Sequence, residues 1–338
     1  MKQFALTFFT TLLLSGTGLS QIIYVKSDSN GNGKSWKTAT NNLSRALHVA
    51  SAGTQIWVAK GTYFPSVCNH CTESDRAESF NIPTGVKVYG GFEGNEIGIN
   101  QRNVKKNTTQ LSGHIGADDH FDNSQTIVTF ENADNETILD GFTISGGIAD
   151  NKESGDGEAS RSGGAIYNLA SKENHYSTPI IKNCLFFENM GAEGGAIFNN
   201  SKKGLASIIA INCTFLNNKA VNAGGAVMDN GMSKMTNSIF ENCRFIKNSS
   251  KYGGAYFSSN TDSKKEIFKD CKFINNESEY GAAGFISSEL NFDGKVYNQA
   301  CTFKGNKSKD KQTIYYQQRN NLNEAIKETL KANSGISL

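Results

Sequence analysis

The stretch Ile211–Val227, "INCTFLNNKAVNAGGAV", decides the fold, because the chain spells nearly the same phrase five times. Cys184, Cys213, Cys243, Cys271 and Cys301 are 29, 30, 28 and 30 residues apart. Phe stands two residues after each Cys (Phe186, Phe215, Phe245, Phe273, Phe303), and Asn five after (Asn189, Asn218, Asn248, Asn276, Asn306). Ile stands four before the first four, at Ile180, Ile209, Ile239 and Ile267. Gly-Gly-Ala follows at Gly194, Gly224 and Gly253, and decays to Gly281-Ala282-Ala283. An earlier copy, "LDGFTISGG", places Asp140 at the Cys position.

A fixed period of this length marks a solenoid. The segments are short, rich in β-branched and aromatic residues, and bounded by Gly and Asn, so they read as strands. Cys and Phe two apart share one side of a strand, and coils stacked about 4.8 Å apart place like over like. The Cys, Phe and Ile columns are therefore expected to be internal ladders. The Asn column is expected at a left-handed turn, with side-chain amides bonded from coil to coil. The glycines mark another sharp corner. Ala of each Gly-Gly-Ala, followed two residues later by Phe198, Met228, Phe257 or Phe285, suggests a second inner face. The expected fold is an all-β, right-handed parallel β-helix over residues 21–316, with the Cys-Phe-Asn and Gly-Gly-Ala repeats filling 140–316.

Composition agrees. With 37% hydrophobic residues, 34 Gly and 3 Pro, many short strands fit better than one compact core. Aromatics at 10% argue against disorder. A formal charge of +2 gives no case for nucleic acid as partner. Residues 1–20, with an early Lys, an apolar run to Leu14 and small residues to Ser20, read as a signal peptide. No later segment is apolar enough to span a bilayer. The expected location is extracellular or on the outer cell surface.

Both solenoid ends need covers, because open coils expose core and strand edges. Leu43, Ala46, Leu47 and Ala50 follow helical spacing, which predicts a capping helix over 39–52, closed by Gly53. Residues 317–338 carry Leu322, Ile326 and Leu330 at helical spacing and are expected to form a C-terminal helical cap or tail. Lysines replace apolar positions in "CTFKGNKSKDKQTIYYQQ", as suits a last, solvent-facing coil.

"NCxFxxN" followed by "GGAI" resembles the repeats of the chlamydial polymorphic outer membrane proteins. "IIYVKSDSNGNGKSW", "ALHVASAGTQIWVAKGTYFP", "GVKVYGGFEGNE", "TTQLSG" and "ILDGFTISGG" resemble secreted β-helix proteins of the pectate-lyase-like superfamily, of Bacteroidetes type. The resemblance implies the fold, and an adhesin-like or polysaccharide-related role. The autotransporter barrel of the former and the sorting domain of many of the latter are not seen after the repeats.

Candidate chemistry is sparse. Cys68 and Cys71 in "CNHC" are expected to form a local disulfide, which export permits. A zinc site would want two more ligands, and Thr72 stands where haem attachment needs His. The five ladder cysteines read as inert buried thiols. Asp28, Asn30 and Asn32 imitate a calcium loop, but Ala39 replaces its bidentate Glu, so a turn is expected. Asp118, Asp119 and Asp122 form a second acidic loop, solvated by default, with calcium as the alternative. Lyase or hydrolase chemistry needs aligned carboxylates. The positions after each Cys are Leu185, Thr214, Arg244, Lys272 and Thr302, with no recurring acid, and His114 and His120 have no evident partner. Sequons occur at Asn107 and Asn212. No cofactor or metal is expected.

Three residues after each Cys stand Phe187, Leu216, Ile246 and Ile274. Alternation points them outward, and an exposed apolar stripe marks a binding face. A strand bending into the Asn turn would instead carry them inward. These four are the candidate binding residues. The expected function is non-catalytic binding or adhesion to a glycan or cell-surface partner. The alternatives are a polysaccharide-active enzyme, lyase more than hydrolase, and a structural surface protein.

Overall fold

The structure is a computed structural model that describes residues 21–66, 72–116, 122–155, 157–231, 236, 238–259, 267–288 and 298–318. The expected signal peptide at residues 1–20, the Cys68–Cys71 pair, His120, Asp118 and Asp119 lie outside the described residues, as does the expected C-terminal helix beyond Gln318.

Three long sheets, parallel throughout, run the length of the molecule. Sheet 1 has nine described strands, from Ile22–Val25 through Ile180–Lys182 and Ile209–Ile211 to Asn298–Gln299. Sheet 2 has eight, from Gly61–Tyr63 through Leu185–Phe187, Thr214–Leu216, Arg244–Ile246 and Lys272–Ile274 to Thr302–Lys304. Sheet 3 has eight, from Phe80–Ile82 through Ile197–Asn200 and Val227–Asn230 to Ile314–Gln318. From Gln55 onward each coil contributes one strand to each, and like residues pair without offset: Phe186 with Phe215, Phe215 with Phe245, Phe245 with Phe273. The chain is a right-handed parallel β-helix.

The interior follows from the repeat. Rings of Phe186, Phe215, Phe245 and Phe273 stack at 4.8 Å, within 7° of parallel. Each such pair adds about 0.5–1.5 kcal/mol to area burial. Cys184, Cys213, Cys243 and Cys271 are buried free thiols, and Cys301 is half-buried. Their Sγ atoms face backbone carbonyls, as Cys243 faces Ala210 O at 3.4 Å. Burial pushes the Cys184 and Cys213 thiols well above their ordinary range.

The Asn column bonds as expected. Asn189 Nδ2 donates to Asn218 Oδ1 at 3.1 Å, Asn218 to Asn248 at 3.0 Å, and Asn248 to Asn276 at 3.0 Å. Its backbone, however, is not the left-handed one. That conformation belongs to the preceding residue: Glu188, Asn217, Lys247, Asn275 and Gly305, with φ between 52° and 66°. A second left-handed corner precedes each Cys, at Asn183, Asn212, Asn242, Asp270 and Ala300.

This second corner overturns two expectations. It resets strand parity, so alternation cannot be carried back from Cys to the Ile four residues earlier. Ile180 and Ile209 are half-buried and Ile239 is 41% exposed. The interior column is the next residue: Leu139, Ile181, Ala210, Phe240 and Phe268. Of the four isoleucines, Ile267 is buried. In the earlier copy, Asp140 pairs with Lys182, and Ile144, not Phe142, pairs with Phe186. Phe142, two residues before Ile144, takes the Cys place and is buried.

The Gly-Gly-Ala corner is left-handed at Gly194, Gly224, Gly253 and Gly281. A Cβ on Gly224 would fall 2.4 Å from Val227 O, so only glycine fits. Beyond it, Ile197, Val227 and Tyr256 enter the core, whereas Phe198, Met228, Phe257 and Phe285 form a separate buried cluster with Tyr167 and Tyr252. The second inner face is thus an outer cluster, because Ala and the following residue both turn inward at the corner.

The capping helix is shorter than expected, α1 at Leu43–Val49, with Asn42 Oδ1 accepting from Arg45 N at 2.7 Å. Its buried Leu43, Ala46 and Leu47 join the core where sheets 1 and 3 begin. "SDSNGNG" is a turn, with Asp28 paired to Lys26. Strand Ile314–Gln318 runs two residues past the expected boundary at 316.

Candidate functional site: the outer face of sheet 2

Each sheet 2 strand of the repeat is three residues long, held between two left-handed corners. The middle residue is the core Phe, so the flanking two point outward. One outer column is Gln110, Thr143, Leu185, Thr214, Arg244, Lys272 and Thr302. The other is Ser145, Phe187, Leu216, Ile246, Ile274 and Lys304. Phe187, Leu216, Ile246 and Ile274 are half-buried, in unbroken register, and part of neither buried cluster. The structure therefore places the four together on the outside. Short strands between sharp corners do not bend far enough to bring them in.

Cations border this stripe. Arg244 and Lys272 lie in the other outer column, Lys247 at the corner beyond Ile246, and Lys304 at the stripe's end; all four are exposed. Among the described residues, no carboxylate pairs with any of them.

At its other end the stripe opens into a cleft of about 800 Å³ lined by Phe187, Ile148, Met190, His114, Asp150, Glu188, Asn189 and Lys219, among others. Apolar walls with a few convergent polar groups are the usual form of a ligand pocket. Helix α2, Glu73–Ala77, supplies a buried Arg76 that braces the cleft. Its Nε donates to Asn123 O at 2.8 Å, and its Nη2 to Asp150 Oδ1 at 2.6 Å. Asn123 Nδ2 donates to Gly146 O at 2.7 Å, which fixes its amide, so Oδ1 accepts from His114 Nδ1 at 3.1 Å. The proton of His114 is thereby placed on Nδ1. The imidazole lies against Gly146, where a Cβ would come within 2.8 Å of Nε2.

His114 thus has a partner in Asn123, which sequence reading missed. So was the Arg76–Asp150 pair, 74 residues apart along the chain. No spacing rule links such positions, because each comes from a loop outside the repeat. Asp122, of the acidic loop, is half-buried, and its Oδ1 has no hydrogen-bond partner among the described residues. Asn107 is buried with Nδ2 donating to Gly91 O, so this sequon is not open to modification in the folded chain.

No family model and no curated protein matches the chain. Among solved structures, a pectin methylesterase from Aspergillus niger, in a penultimately deglycosylated form, aligns with 91% of this chain and 89% of its own. The identity is 13% and the TM-score 0.25, a likeness that carries no argument. Among the described residues, no helix is long and apolar enough to cross a membrane.

Proposed function

We propose that this chain is an exported binding protein whose ligand, an acidic polysaccharide, lies along the outer face of sheet 2. One observation carries the reading: the half-buried apolar column Phe187–Leu216–Ile246–Ile274 is flanked by four exposed cations, Arg244, Lys247, Lys272 and Lys304, that pair with no carboxylate among the described residues. The apolar face of a sugar ring packs on aliphatic and aromatic side chains, and charge-assisted bonds recognise carboxylate or sulfate. The coil repeat of about 4.8 Å presents this pair of features anew at each step. A linear polymer with one acid per unit matches a surface built this way, whereas a compact ligand would use one or two coils.

The test is binding of oligogalacturonate and of heparin-derived oligosaccharide to the wild type and to Leu216→Ser/Ile246→Ser. The reading expects binding by the wild type and loss in the variant, with circular dichroism unchanged. Equal binding by both proteins overturns it.

A second reading, a polysaccharide-active enzyme, draws on the cleft, where His114, Asp150 and Glu188 share one hollow. Asp150 is engaged by Arg76, which leaves His114 and Glu188 as the groups able to move a proton. Release of unsaturated product from acidic polysaccharide, abolished by His114→Ala, would establish this reading over the first.

A further inference from the structure

The corner between sheets 1 and 2 carries a second ladder of amides. Asn242 Nδ2 donates to Asn212 Oδ1 at 2.7 Å, Asn212 Nδ2 to Asn183 Oδ1 at 3.3 Å, and Asn183 Nδ2 to Asp140 Oδ1 at 2.8 Å. All three donate in the same direction along the solenoid. The chain ends on Asp140, whose other oxygen accepts from Arg102 Nη2 at 2.5 Å. Both members of that ion pair are largely buried, at 15% and 7% side-chain exposure, so the end of the ladder is held firmly.

Comparison with the inner ladder reveals what differs. Asn218 of the inner ladder donates from Nδ2 to Asn248 Oδ1 and to Phe186 O, and its Oδ1 accepts from Nδ2 and from the backbone N–H of Asn189. All four of its hydrogen-bonding places are filled. Asn212 and Asn242 are exposed, and Asn212 uses one N–H and one lone pair in the ladder. Each exposed amide therefore keeps at least one donor and one acceptor facing solvent, repeated at the coil spacing of about 4.8 Å.

These amides line a hollow of about 890 Å³, to which Tyr89, Ile99 and Val104 bring an apolar wall and Lys105 and Lys182 bring two ammonium groups. The Arg102 guanidinium sits 5.3 Å over the Tyr89 ring, which fixes that ring. A neutral donor–acceptor pair matches a pair of adjacent hydroxyls, each of which can donate and accept. A repeated neutral pair beside an apolar wall matches a chain of sugar rings. Since an amide brings no charge, it gives no preference to an acid.

We propose that this corner groove is a separate saccharide site, which takes a neutral glycan chain by adjacent hydroxyl pairs on Asn212 and Asn242. It does not depend on the sheet 2 face. The left-handed backbone, with φ of 57° and 52°, supplies a clean probe: Asn212→Gly/Asn242→Gly removes both amides and keeps a residue at ease in that conformation.

The experiment follows side-chain amide resonances of the full chain during titration with cellotetraose, mannotetraose and xylotetraose, with tetragalacturonate as the charged comparison. At least one neutral tetrasaccharide is expected to shift Asn212 and Asn242 amides. Its affinity should fall at least tenfold in the double glycine variant and stay unchanged in Leu216→Ser/Ile246→Ser. No shift with any neutral probe overturns the proposal, as does equal binding by the glycine variant. Tighter binding of tetragalacturonate at these amides overturns the neutral class. An unchanged thermal midpoint of the glycine variant shows that the fold survives.

Discussion

Asn218 and Asn248, one coil apart, share a single oxygen: both Nδ2 and the backbone N–H of Asn218 donate to Asn248 Oδ1, each at 3.0 Å. The same arrangement joins Asn189 to Asn218 and Asn248 to Asn276. A buried corner whose strand-end N–H groups have no ladder partner is completed this way. Asn218→Ala would leave two donors of Asn189, its backbone N–H and one Nδ2 hydrogen, without partners. With about 1–3 kcal/mol for each orphaned buried group, the expected loss is about 2–6 kcal/mol, read by urea denaturation. A loss below about 1 kcal/mol would show that water replaces the amide.

Adjacent residues 215 and 216 should behave oppositely. Phe215 is fully buried between Phe186 and Phe245, so Phe215→Ala is expected to cost about 3–5 kcal/mol. Leu216 lies outside the core, so Leu216→Ser should cost under about 1 kcal/mol. Similar losses for both would mean that the outer stripe is packed core after all.

The main features of the fold could be read from the sequence because the period fixes the stacking, and stacking fixes which like residues meet. Cys and Phe columns behaved as their spacing demanded, and the Asn side chains bonded from coil to coil, although the left-handed turn lies one residue before each. Parity failed at Ile180, Ile209 and Ile239 because a left-handed residue, Asn183, Asn212 or Asn242, intervenes, and a corner erases alternation. The same corner moved Asp140 from the Cys place to the end of the outer amide ladder. The candidate stripe was visible as a column of like residues. His114–Asn123 and Arg76–Asp150 were not, since loop-to-loop contacts carry no periodic signal.

The ladder thiols should differ in reactivity. Cys184, Cys213, Cys243 and Cys271 are buried and Cys301 is half-buried. In a Cys68→Ser/Cys71→Ser background, native protein should take up one equivalent of iodoacetamide at Cys301, and five only after unfolding. Rapid labelling of Cys213 in native protein would contradict the buried column.

Asp229 is buried and accepts from Asn199 Nδ2, Ser238 N and Oγ, and Tyr256 Oη. Burial pushes its carboxyl above the ordinary range, more than these bonds lower it. The folded state thus holds this proton more tightly than the unfolded state. Stability should fall as pH rises from the ordinary carboxylate value through the raised one, then level off. Asp229→Asn should remove that component from thermal midpoints measured against pH. An identical pH profile in wild type and variant would show that Asp229 keeps an ordinary affinity for its proton.

If Arg244, Lys247, Lys272 and Lys304 meet a polyanion, salt should weaken binding, since exposed charges are screened within about 10 Å at 0.1 M. Arg244→Gln/Lys272→Gln should lower affinity at low salt and flatten the salt dependence. Unaltered salt dependence in that variant would move the ligand elsewhere.

The most direct measurement is the affinity of oligogalacturonates of increasing length for the intact protein. A ligand laid along the coils predicts affinity that climbs with each added unit until the chain spans Phe187 to Lys304, then stops climbing, and a climb that disappears in Leu216→Ser/Ile246→Ser. Affinity that is the same for a dimer and an octamer, or a climb that survives the double substitution, would contradict a polymer bound on this face.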